Sequence, residues 1–170
     1  MGTAIAINSE PLVLDWKTSK AIFFQALLVT TAVLLPSLCH LTGAPVRTLL
    51  PMHWPVLLAG LLYGWRGGLI VGAVSPLASF ALSGMPPAQL LPFMGFEMAV
   101  YGFCAGFARQ ILRFNAWIAV LSAIAAGRTA LLGAQFIFGA RHGGSGVWLT
   151  ALLPGIPAAL AQTALLPSIF

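Results

Sequence analysis

This chain has almost no charge. Of its 170 residues only three are acidic and eight are lysine or arginine, so charged residues make up 6% against 59% hydrophobic ones. With a mean hydropathy of +0.97, a soluble domain is excluded, because it could not hide so much apolar surface. Three acids in total argue against carboxylate catalysis, and no Gly-rich phosphate loop is present, so the chain does not hydrolyse ATP by itself. Three histidines and two cysteines, Cys39 and Cys104, show no metal-ligand spacing, so neither a metal nor another cofactor is expected. Both cysteines read as small apolar fillers in helices, although Cys39 lies near a helix end where a ligand contact is open. The net charge of +5 does not point to nucleic acid: the basic residues are scattered and flank apolar runs. No cleavable signal pattern is expected, since the first apolar run starts only near Ala21 and no Ala-x-Ala-like site follows it.

What remains is a series of apolar runs. They predict an all-α membrane protein, a multi-pass bundle of six transmembrane helices over residues 21–170, preceded by a cytoplasmic N-terminal lead of residues 1–20. The expected helices cover roughly 21–41, 51–63, 69–82, 88–108, 116–140 and 147–170. The second and third are short for a span and need tilt or burial by neighbours, and Pro76 predicts a kink in the third. Glycines and prolines mark the turns at 64–68, 83–87 and 141–146. Lys17, Lys20, Arg66, Arg109 and Arg113 fall on one side and only Arg47 and Arg141 on the other. The positive-inside rule then puts both termini in the cytoplasm.

Against that background one glutamate and one arginine stand out. Glu97 sits in the apolar run 92–102 and Arg128 in the run 123–132. On antiparallel helices both fall near mid-depth, where a charge costs several kcal/mol and is usually paired or faces a cavity. Two roles are open to Arg128: a structural partner for Glu97, or a ligand for a substrate carboxylate. Tyr101 is one turn from Glu97, and Gln135 is two turns from Arg128 on a similar face. Gln162 is a lesser candidate in the last apolar run. His53 and Trp54 stand at the outer end of the second helix, either as headgroup-level anchors or as the wall of an outward-facing pocket. Small residues abound on the fourth and fifth helices, where they read first as close packing. Gly143-Gly144-Ser145-Gly146 superficially fits a membrane serine protease, but no histidine follows Ser145 to act as its base.

The ordered series Pro51-Met52-His53-Trp54-Pro55, Gly72-Ala73-Val74-Ser75-Pro76, Ser83-Gly84-Met85-Pro86-Pro87, Phe96-Glu97-Met98-Ala99-Val100-Tyr101-Gly102, Ala126-Gly127-Arg128 and Leu153-Pro154-Gly155-Ile156-Pro157 resembles the substrate-binding S component of energy-coupling factor (ECF) vitamin transporters. The resemblance spans about residues 20 to 170. It implies a bacterial inner-membrane protein that binds one water-soluble vitamin at its outer side. Its implied partners are a transmembrane coupling protein and two ATPase subunits. His53, Trp54, Glu97, Tyr101, Arg128 and Gln135 are the expected substrate-binding residues. Ala26 and Thr30 stand where the family carries an Ala-x-x-x-Ala docking pair on the first helix. Pantothenate ranks first as substrate because Arg128 suits its carboxylate, with a pyrimidine precursor or another vitamin next. A stand-alone proton-coupled or facilitative carrier is the alternative reading, and a structural membrane subunit or membrane enzyme comes last.

Overall fold

The computed structural model describes residues 13–139 and 153–170. Among these the chain is helical and without strands: α1 (Ser19–Thr42), α2 (Val46–Leu49), α3 (His53–Ser83), α4 (Leu91–Gln110), α5 (Ala116–Gly139) and α6 (Ile156–Leu165), with single 3-10 turns at Leu153–Gly155 and Pro167–Ile169. Four stretches are long and apolar enough to cross a membrane: Ser19–Thr42, Val46–Ser83, Leu91–Gln110 and Ala116–Ile137. The glycine-rich loop expected at 141–146 and the start of the last expected helix lie outside the described residues.

The expected second and third helices are both contained in α3, which reverses direction at Gly64. That residue adopts φ 71° and ψ −170°, a conformation open to glycine and strained for other residues. The reversal can be read from the next close contact. A Cβ built on Gly68 would lie 2.8 Å from the Cα of Gly60, whereas eight residues along an unbroken helix separate two positions by about 12 Å. The expected five-residue turn is therefore a single residue, and Trp65 to Gly68 are already helical. Gly64, not Pro76, is the residue of α3 with non-helical dihedrals. The loop expected between the first two helices contains one short helical turn, α2.

The centre of the bundle is where three backbones meet. Side chains added at Gly60, Gly68 or Gly102 would run into each other's main chain or that of α4, and one at Gly106 into the Gly64–Trp65 peptide. Small residues at these points let α4 lie in the crook of the α3 hairpin, where attraction comes from close van der Waals contact rather than from exclusion of water. Around this crossing the core fills with Val56, Leu57, Leu61, Val71, Met98 and Val120, all fully buried. α1 begins at Ser19 with the Thr18 hydroxyl accepting from the Ala21 N–H, and it packs on α3 along one narrow face, burying only Ala21, Gln25, Ala32 and Val33.

Gly68→Ala forces its methyl into the Gly102 carbonyl, so it should destabilise the fold by about 1–3 kcal/mol, as overpacking does. Gly95 on the same α4 has open space around a Cβ position, so Gly95→Ala should stay within about 1 kcal/mol of the parent. Thermal melting of the two purified variants in detergent checks the contrast, and equal melting temperatures would refute the close-approach account.

Candidate functional site

The site grows from one helix face. On α4, Glu97 and Tyr101 are one turn apart and point the same way, while Met98 and Gly102, one position further round, face α3. Glu97 lies about 9 Å along the axis from Leu91 at 1.5 Å per residue, and it is only 4% exposed. A carboxylate buried there needs a partner, and Arg128 from α5 supplies it: its Nη1 donates to Glu97 Oε1 at 3.2 Å. The third member comes from the start of α3, where the His53 Nε2 lies 3.7 Å from the same carboxylate oxygen. The His53 ring stands edge-on to Tyr101, with centroids 4.8 Å apart and planes at 85°.

Two glycines make this convergence sterically feasible. Tyr101 lies directly over Gly127, so any side chain there would strike the phenol ring. The Arg128 guanidinium lies against Gly155 in the same manner, and a Cβ there would also meet Leu50. In the sequence Gly127 reads as a packing residue and Gly155 has no place in the site. The signal for Gly127 was its position immediately before the arginine. Gly155 had no local signal, because what it accommodates is far away along the chain.

Polar satisfaction is uneven. Arg128 uses Nη1 on Glu97, yet its Nη2 is buried with no hydrogen-bond partner among the described residues, and both ring nitrogens of His53 share that condition. A buried arginine donor in this state favours an acceptor outside the described residues. Arg128 is also the one member of the cluster with side-chain access, 16% exposed against 5% for Glu97 and 4% for His53. The cluster thus has a closed back, made of Glu97, His53 and Tyr101, and a front at Arg128.

The remaining expected site residues stand apart from this cluster. Trp54 follows His53 but is half-buried at the edge of the core, and its indole N–H donates to the Leu49 carbonyl at 3.1 Å. That leaves only its ring face for a ligand. Gln135 is half-buried on α5, two turns beyond Arg128. Gln162 of α6 is 1% exposed, and its side-chain Nε2 has no hydrogen-bond partner among the described residues. Ala26 and Thr30 are both exposed on α1, where the Thr30 hydroxyl donates to the Ala26 carbonyl at 2.9 Å. No cluster of metal-binding side chains occurs among the described residues.

The family model described as "ECF transporter, substrate-specific component" matches residues 20–170. The chain belongs to this family, whose members are substrate-binding subunits of membrane transporters rather than enzymes. No curated protein and no solved structure matches the chain.

Removing one partner of the buried pair leaves the other charge uncompensated, at a cost of about 3–5 kcal/mol, whereas removing both relieves that penalty. Arg128→Ala should therefore melt at a lower temperature than the double variant Glu97→Ala/Arg128→Ala. Melting curves of both variants and the parent decide this, and a double variant less stable than Arg128→Ala would show that the pair is not the dominant contact.

Proposed function

We propose that this chain binds one water-soluble vitamin or vitamin precursor at the outer face of a bacterial inner membrane and delivers it through an ECF complex. In that complex it works with a transmembrane coupling protein and two ATPase subunits. Both termini face the cytoplasm. The lead of residues 1–20 precedes the binding domain, and Ala26 and Thr30 on the open face of α1 form the docking surface for the coupling protein. Support for docking there comes from the small size of the two residues and from the Thr30 hydroxyl, which bonds back to its own helix and leaves no unpaired donor.

The observation that carries the substrate reading is the buried Nη2 of Arg128, which has no hydrogen-bond partner among the described residues. A guanidinium held on one nitrogen by Glu97 presents the other to an anionic acceptor. A substrate carboxylate fits that need, which ranks pantothenate first, with a pyrimidine precursor or another vitamin next. Glu97 and His53 then orient the arginine, while Tyr101 and the face of Trp54 supply apolar walls and Gln135 a further polar contact. In this arrangement no bond is made or broken in the substrate. The chain contributes affinity and selectivity, and ATP is consumed by the partners.

Native mass spectrometry of the gently purified protein should find a carboxylate-bearing vitamin bound. Arg128→Gln should weaken its binding by about 30-fold or more, while Arg47→Gln, outside the cluster, should not. A protein that comes out empty and whose melting temperature no vitamin shifts would overturn the reading. Uptake that stops with a protonophore but persists without ATP would point to a stand-alone carrier instead.

A further inference from the structure

A second built feature lies at the opposite end of the bundle from α2. Here residues just ahead of α1 are tied down. The Leu14 N–H donates to the Leu62 carbonyl at 2.7 Å, next to the Gly64 reversal, and the Gln25 side chain donates to the Trp16 carbonyl at 3.0 Å. Between this strap, the α3 reversal and the end of α4 is a cavity of about 620 Å³, lined among others by Trp16, Lys17, Arg66, Gln110 and Arg113.

The cavity is cationic. Lys17, Arg66 and Arg113 face one carboxylate, Asp15, and that carboxylate is engaged by the Lys17 backbone N–H at 3.0 Å. Among the described residues none of the three cations makes an ion pair with a carboxylate. Two of them lie over indoles instead: the Arg66 guanidinium is 4.9 Å from the Trp65 ring and 5.9 Å from that of Trp16, and the Lys17 ammonium 5.6 Å from the latter. Contact with the ring faces holds Arg66 and Lys17 in place and leaves their N–H groups free to bind an anion.

Its surroundings select the kind of anion. Next to the cavity, Leu14, Ile22, Phe23 and Phe24 are more than half exposed on the flank of the first helix and its approach. Tryptophans at a span end lie at headgroup level, and basic residues there attract anionic lipid of the cytoplasmic leaflet. We propose that this cavity binds the phosphate of an anionic phospholipid, whose acyl chains run along the exposed face of α1. The phosphate takes the place of the missing carboxylates and holds the strap against the α3 reversal. This inference is independent of the vitamin and of Arg128.

The test uses the full-length protein in a neutral detergent, with phosphatidylglycerol, phosphatidylcholine and inorganic phosphate as probes. Phosphatidylglycerol should stay bound in native mass spectrometry and raise the melting temperature, while phosphatidylcholine and inorganic phosphate should do neither. Its binding should fall roughly fivefold for each arginine removed in Arg66→Gln and Arg113→Gln. The charge-preserving pair Arg66→Lys/Arg113→Lys should keep most of it, and Arg47→Gln at the other end all of it. Equal effects of the two lipids, full binding by the double glutamine variant, or the same shift from inorganic phosphate alone would each overturn the lipid assignment. A lipid-free melting temperature equal to the parent's establishes that the exposed glutamine substitutions leave the fold intact.

Discussion

A single carboxylate in an apolar interior governs how this molecule is arranged. Glu97 sits well inside α4 and is almost fully buried, so its charge must be answered by a cation from another element. Arg128 answers it at 3.2 Å, and this fixes where α5 can lie. Because an arginine arm is long, the contact tolerates some separation of the two helices, but Tyr101 one turn on removes that freedom by resting on Gly127. His53 then approaches the same oxygen from α3, and the arginine's far side rests on Gly155. One charge thus draws together three helices and the segment leading into α6.

The α3–α4 contact provides the frame on which this convergence depends. Glycines recur every fourth residue at 60, 64, 68 and 72 and again at 102 and 106, so each helix presents a flat stripe. Where the stripes cross, main chain touches main chain and little side-chain entropy is lost. The adjacent face of α4, one residue round, carries Glu97, Tyr101 and Ala105. One face of α4, with Gly102 and Gly106, locks to the hairpin, and the face beside it carries Glu97 and Tyr101 of the polar cluster. A site on two rigid, backbone-packed helices holds its geometry better than one on loops.

Much of this was legible in the sequence for physical reasons. An acid and a base in a chain nearly free of charge, each inside an apolar run, can hardly avoid each other, and counting residues from the helix ends placed them at similar depth. The small residues of the fourth helix also announced close packing. Other features were hidden because one residue type serves two purposes. Gly64, Gly67 and Gly68 look alike as breakers, yet only Gly64 turns the chain, while Gly68 makes room for a neighbouring helix. His53 had two readings, headgroup anchor or pocket wall, and the structure buries it against Glu97 and Tyr101. Gly155 was invisible, because nothing local says that an arginine from α5 arrives there.

The open flank of α1 follows from the same economy. The polar cluster and the glycine crossing involve α3, α4, α5 and the C-terminal segment, so α1 adds a cover to α3 and little else. Within a bilayer its exposed leucines and phenylalanines cost nothing, since lipid tails are as apolar as they are. Their exposure alone therefore says nothing about a partner. Ala26 and Thr30 differ from the rest of that flank. They are small, and the threonine hydroxyl is bonded to the carbonyl one turn back, so another helix can come close there without burying an unpaired donor. Two α1 segments thus have different chemistry. In the proposed reading the stretch at Ala26–Thr30 takes a helix contact in the membrane interior, and the beginning of the helix, with its cationic cavity and bulky aromatics, takes the phosphate and tails of a lipid. The two surfaces share a border, because Phe23 and Ala26 are one turn apart on the same face of α1.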